Sequence, residues 1–158
     1  MVKNIKTNAM RILDSKHIEY RELVLDIKEA LDGVTCATML GVSLDKTFKT
    51  LVTVSKSKNY YVFVVPVAEK LDLKKAASVV NEKDLSMLPQ KELLGLTGYV
   101  HGGCSPIGMK KVFKTVIDET AILFDKIIFS GGKIGQFIEV NPQDIKNVLP
   151  IEFADLVE

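Results

Sequence analysis

The stretch FKTLVTVSKSKNYYVFVVPV, residues 48–67, decides the architecture of this chain. Its two halves, FKTLVTVS (48–55) and YYVFVVPV (60–67), are rich in β-branched and aromatic residues, and the polar KSKN between them reads as a hairpin turn. YYVFVVPV is apolar at consecutive positions, so neither of its faces suits water and it belongs at the centre of a sheet. Pro66, which has no N–H to give a ladder, marks the exit. Lys49 opens the first strand and shares a face with Leu51 and Thr53. A lysine in that place either snorkels its amine out to water or holds a cation at the rim of a pocket, where it can meet a phosphate or a developing oxyanion.

Working outward, the apolar spacing predicts a helix over 4–16 with Ile5, Ala9, Ile12 and Leu13 on one face. A strand is expected over 19–25. A short helix over 32–41 has Asp32 as its cap and Gly41 as its stop. Downstream come helices over 72–80, opened by Asp72, and over 88–96, with Pro89 near the start and Gly95 near the end. Strands are expected over 112–118, 126–130 and 136–140, the last two separated by a glycine loop, GGKIG (131–135). NPQDIKNVL (141–149) reads as a helix with Asn141 as cap and Pro142 at its first position, and a short helix near 151–157 closes the chain. Strands and helices interleave without a clean βαβ alternation. The expected fold is therefore α+β, a mixed, curled and barrel-like sheet flanked by helices, and the length of 158 residues favours a single domain over 1–158.

Apolar residues make up 47% of the chain and charged residues 26%, an ordinary globular balance. No apolar run approaches the roughly 20 residues of a membrane helix. The opening MVKNIKTNAMRIL has no long apolar block before a small-residue cleavage site, so a cytoplasmic protein away from membranes is expected. A net charge of +1 provides no global basic field, which disfavours a large nucleic-acid footprint but not a grip on one end of an RNA. Cys36 and Cys104 form neither a metal spacing nor a Cys-x-x-Cys pair, and no cofactor or metal is expected.

The chemistry-bearing stretches are TGYVHGGCSPIGMKK (97–111) and SGGKIG (130–135). There is no Gly-x-Ser-x-Gly elbow, no His-Glu-x-x-His and no phosphate loop of the Walker type. His101 has the chemistry of a general base, but the sequence supplies no orienting partner for it. Glycine lets backbone approach a ligand closely and aim N–H groups at it. If the two glycine stretches converge, Gly102, Gly103, Gly131 and Gly132 line a cleft with main-chain donors, and Ser105 and Ser130 add hydroxyls.

Five segments occur together in order: FKTLV (48–52), VVPVA (64–68), LDLKKAA (71–77), TGYVHGGCSPIGMKK (97–111) and SGGKIG (130–135). In this combination the chain resembles the YbaK-type (EbsC-type) Cys-tRNA(Pro) deacylases, relatives of the editing domain inserted in bacterial prolyl-tRNA synthetases. The resemblance covers about 30–150. It implies a freestanding trans-editing enzyme that cleaves the ester joining a wrong amino acid, chiefly cysteine, to the terminal adenosine of tRNA(Pro). The partners it implies are the 3′ end of the mischarged tRNA and prolyl-tRNA synthetase. The family's essential lysine corresponds to Lys49, with Thr50 beside it. Its glycine-rich wall corresponds to Gly102 and Gly103, and its pocket serine to Ser130, with Gly131 next to it. Tyr20 and Leu25 are rough counterparts of other pocket residues. The chain departs from some relatives where Gln136 or Phe137 replaces an Asp after SGGK-x-G, and where Asp32 stands near an aromatic pocket residue. These departures bear on which amino acid is preferred.

An aminoacyl ester is already activated, so holding its tetrahedral intermediate is useful catalysis, and one oxyanion-hole donor is worth roughly 3 kcal/mol. No protein nucleophile is then needed. For a cysteinyl ester the resemblance implies attack by the substrate's own thiol, leaving a sulfur-containing ring. Lys49 is then expected to hold the terminal adenosine or its phosphate, amides near Gly102 and Gly103 the carbonyl oxygen, and Ser130 the ribose or amino group. Cys104 is expected to be a bystander. A water-dependent deacylase for another mischarged tRNA such as Ala-tRNA(Pro), and a non-catalytic module binding tRNA or a synthetase, are the alternative readings.

Overall fold

The structure is a computed structural model and describes residues 6–158; Ile5, placed above on the first helix, lies outside the described residues. Helix α1 (Asn8–Ser15) starts at Asn8 because Thr7 caps it, accepting from the Met10 N–H at 3.2 Å. Strand β1 (Tyr20–Val24) follows, then α2 (Gly33–Leu40). Asp32 caps α2 and Gly41 ends it with φ 71°. The hairpin forms as expected: β2 (Phe48–Val54) pairs antiparallel with β3 (Tyr60–Pro66), from Phe48 opposite Pro66 to Val54 opposite Tyr60.

Strand β3 lies at the centre of a five-stranded sheet, and its register explains the unbroken apolar run. Val62, Phe63, Val64 and Val65 are all fully buried. Phe63 and Val65 pack with Ala76 and Ala77 of the helix that follows β3 and with its C-cap Val80, whereas Val64 points to the opposite face and joins Ala9, Leu13 and Phe129. Alternate side chains therefore feed two cores, as the period of a strand dictates.

Helix α3 (Leu73–Val79), the short β4 (Ser86–Met87), α4 (Gln90–Thr97) and β5 (Lys114–Asp118) come next. Strands β6 (Ile127–Lys133), β7 (Gln136–Val140) and β8 (Ile151–Ala154) complete the chain. The larger sheet has the order β4-β2-β3-β5-β8, with β5 parallel to β3 and β8 parallel to β5, and the smaller has β1-β7-β6. The α+β class with helices flanking mixed sheets holds. The sheets do not close into a barrel: a lone parallel bridge, Thr47 to Ile128, links them.

Four local expectations are corrected. The segment expected as a closing helix contains strand β8. Ile151 and Phe153 alternate inward onto the core, while Glu152 lies outward and pairs with Lys114 at 3.3 Å, a period of two that suits a strand. Residues 142–147 form 3₁₀ turns rather than an α-helix, with Asn141 accepting from the Gln143 N–H at 2.9 Å. Helix α4 runs through Gly95 and stops at Gly98, whose φ is 86°. Gly131 and Gly132 belong to β6 itself, with an irregular register between Ser130 and Lys133, so the turn into β7 is only Ile134–Gly135.

Candidate active site

Beyond the Thr47–Ile128 bridge, β2 and β6 make no further bridge with each other. Lys49, Thr50 and Leu51 on one limb and Ser130 on the other line a cleft of about 380 Å³. The start of α2 supplies Leu31 to Val34, and Phe48 and Val67 make the lining apolar beneath. The remaining wall comes from His101, Gly102 and Cys104. The two glycine stretches do converge: a Cβ on Gly103 would lie 3.0 Å from the Ile134 nitrogen and 3.2 Å from the Lys133 backbone.

Their glycines do different work from one another. The Gly103 N–H donates to the Val100 carbonyl at 3.0 Å, closing a turn whose third residue, Gly102, has φ 86°. That is the geometry of a type II turn, which favours glycine at this position. The Gly103 amide is therefore occupied, and Gly103 serves the close approach of the two loops. The Gly102 N–H has no acceptor among the described residues. A Cβ on Gly102 would also meet the Ala30 Cβ at 2.4 Å.

Lys49 extends its amine to 3.5 Å from the Val67 carbonyl. Burial pushes the amine below the usual lysine range, and the charge of Glu69 opposes only part of that shift. The Thr50 hydroxyl oxygen is buried with no hydrogen-bond partner among the described residues, the kind of unsatisfied group that proteins rarely tolerate without reason. The Ser130 hydroxyl accepts from the Gly132 N–H at 3.1 Å, which leaves its proton to donate. Asp32 brings a carboxylate to the lining while capping α2. The Thr35 N–H donates to it at 2.9 Å and holds its carboxyl below the usual range.

Cys104 lies on the wall, but burial pushes its thiol up to about 12. It is a protonated thiol at neutral pH, not a nucleophile. His101 is exposed on the cleft rim and has no hydrogen-bond partner among the described residues, so nothing orients its ring as a base requires.

Two named candidates lie elsewhere. Tyr20 packs on the core beside α1; burial and a hydrogen bond to Asp14 push its hydroxyl up to about 12. The Gly131 carbonyl accepts from the Thr7 hydroxyl at 2.5 Å, and a Cβ there would meet Met10 Cε at 3.0 Å, so this glycine docks α1 onto β6. Neither lines the cleft. Sequence reasoning gave no site role to Val67 or Leu93, and no motif marks them: tertiary packing alone brings them to the lining. Asp32 carried a signal, but as a helix cap.

Residues 28–148 match the aminoacyl-tRNA editing domain family. Over 152 residues the chain is 41% identical to a protein of Enterococcus faecalis provisionally named Cys-tRNA(Pro)/Cys-tRNA(Cys) deacylase EbsC, covering 96% of this chain and 93% of that one. A crystal structure of a hypothetical protein superposes with a TM-score of 0.87 at 22% identity, covering 96% of this chain and 100% of that one. Another, provisionally assigned as a trans-editing enzyme for prolyl tRNA synthetase, superposes at 0.80 with 24% identity, over 98% of this chain and 99% of that one. By the matched span and by that identity along nearly its whole length, the chain belongs to the aminoacyl-tRNA editing domain family.

Proposed function

We propose that this protein is a freestanding aminoacyl-tRNA deacylase, a single editing domain over 1–158, that removes cysteine from mischarged Cys-tRNA(Pro) in the cytoplasm. The observation that carries the reading is the pairing of unsatisfied donors with a desolvated cation. Among the described residues the Gly102 N–H and the Thr50 hydroxyl have no partner, and Gly102, Thr50 and Lys49 line one cleft. A cleft of about 380 Å³ is within the range of small-ligand sites.

In this reading Lys49 holds the terminal adenosine or its phosphate, and the Gly102 N–H receives the ester carbonyl oxygen as charge develops on it. Gly103 acts by fixing the turn that aims that donor. Thr50 and Ser130 bind the ribose hydroxyls, and Asp32 faces the substrate's α-ammonium. The cysteinyl sulfur bonds to the ester carbon, the C–O bond to the ribose breaks, and the thiol proton passes to the departing 3′ oxygen. The products are uncharged tRNA and a cysteine thiolactone. Protein nucleophiles have no part in this, in keeping with the protonated state of Cys104. Prolyl-tRNA synthetase, where the mischarged tRNA arises, is the proposed presenting partner.

The test is a panel of tRNAs charged with cysteine, alanine, serine and proline, with the products identified by mass spectrometry. Rapid loss of cysteine as thiolactone, with prolyl ester spared, is expected. Free alanine or free cysteine as the main product would replace self-cyclisation with attack by water. Stability of every ester at high enzyme concentration would contradict the deacylase reading.

A further inference from the structure

A second pocket of about 470 Å³ lies along the same three chain segments as the cleft, shifted a few residues on each. Where the cleft uses 31–34, the pocket uses Ile27 and Lys28. Where the cleft uses 101–104, it uses Tyr99 and Val100. Where the cleft uses Ser130, it uses Lys133 and Ile134. The two are lined by neighbouring residues of the same segments, and the Gly103 Cβ position lies against the Lys133 and Ile134 backbone.

The chemistry of the two parts differs. Lys28 and Lys133 are exposed and have no ion-pair partner among the described residues. Lys110 adds a third basic chain alongside: its side chain would be 3.3 Å from a Cβ on Gly98, which lines this pocket, and its amine donates to the Gly95 carbonyl at 3.3 Å. No carboxylate lines the pocket, although Asp26 and Glu29 flank its residues in sequence. Ile27, Ile134 and Val100, the last 45% exposed, give it apolar surface. Free cations around an apolar surface suit a single nucleic-acid strand, whose phosphates need point charges and whose bases need a surface free of polar demands.

We propose that this pocket is the path of the RNA strand that precedes the terminal nucleotide, with Lys28 and Lys133 on its phosphates and Ile27, Val100 and Ile134 under a base. The proposal rests on the deacylase reading for the identity of the terminal group. Its own content is a binding site for single-stranded RNA outside the ester cleft.

The experiment compares wild type with Lys28→Glu/Lys133→Glu on two substrates, cysteinyl-tRNA and a 3′-cysteinyl adenosine too short to reach the pocket. It also measures binding of a fluorescent oligoribonucleotide ending in CCA as a function of salt. The double variant is expected to lose on the order of tenfold in kcat/KM on tRNA and in oligonucleotide affinity, with the slope of log affinity against log salt reduced by about 1.4 for two single-strand phosphates. Its activity on the short substrate stays at the wild-type value. Equal loss on both substrates, or no loss on tRNA with an unchanged salt slope, overturns the proposal and leaves the deacylase reading intact. If the wild type cleaves neither substrate, that reading fails, and the oligonucleotide arm decides this one alone: salt-dependent binding lost in the variant supports the pocket, and binding that is absent or unaltered overturns it.

Discussion

At Lys49 the amine is half-buried, with a backbone carbonyl at 3.5 Å and a carboxylate, Glu69, that offsets only part of the burial. A lysine whose folded pKa lies below its ordinary 10.5 binds its proton less readily in the folded state than in the unfolded one. The penalty is present throughout the neutral range and is relieved only as pH rises through the folded value and past the unfolded one. Lys49→Met, which keeps the stem and removes the charge, is therefore expected to melt at the same temperature as wild type or higher at pH 7, while deacylation falls at least ~100-fold. Calorimetry beside kinetics checks both halves, and a lowered melting temperature would mean that the lysine stabilises the fold. Cys104 has the opposite sign. Its thiol is raised from 9.0 to about 12, so its neutral form favours the folded state below pH 9, and that contribution is lost as pH climbs toward 12. Cys104→Ala should keep kcat within about threefold of wild type and lose less stability than wild type between pH 9 and 11. Inactivity in a folded Cys104→Ala protein would make the thiol a participant.

Among the elements, the Val100–Gly103 turn joins backbone conformation to chemistry. Gly102→Ala places a Cβ at 2.4 Å from that of Ala30 on a residue with φ 86°. A left-handed alanine alone costs roughly 1–2 kcal/mol, and at about 2–4 °C per kcal/mol for a chain of this size the clash should make the drop larger. Activity should fall further than stability explains, because the turn that aims the free N–H has moved. A melting curve and kcat measured below the transition separate the two effects. The same turn shows what sequence could disclose. Gly102 and Gly103 stood out in the motif, but which amide is free depends on the bond from Gly103 to Val100, and composition does not contain it. The β2–β3 hairpin was legible because both halves are rich in β-branched and aromatic residues and a polar KSKN turn separates them. The segment at 151–157 was not, because four residues are too few to separate a period of two from 3.6. There the parallel place beside β5 decides.

On the scale of the whole molecule, the cleft lies where the two sheets share one isolated backbone bridge, Thr47 to Ile128, above a common core. Phe63 and Val65 hold α3 to one face of the large sheet, while Val64 and Phe129 share the core on the other. Phe63→Ala should destabilise by roughly 3–5 kcal/mol, read by urea unfolding, with little change in kcat in the protein that remains folded. Lys49, Thr50 and Ser130, named from motifs and the family resemblance, come together at the cleft, whereas Tyr20 and Gly131 lie against α1 through Asp14 and Thr7, contacts that only the assembled chain makes. The most direct test of the account is an NMR footprint of a non-cleavable 3′-cysteinylamino adenosine, in which an amide replaces the ester, on the uniformly labelled protein. Shifts concentrated at Lys49, Thr50, Gly102, Cys104 and Ser130 are predicted. Shifts gathered around Tyr20 and Gly131, with 49–51 and Gly102 unmoved, would contradict it.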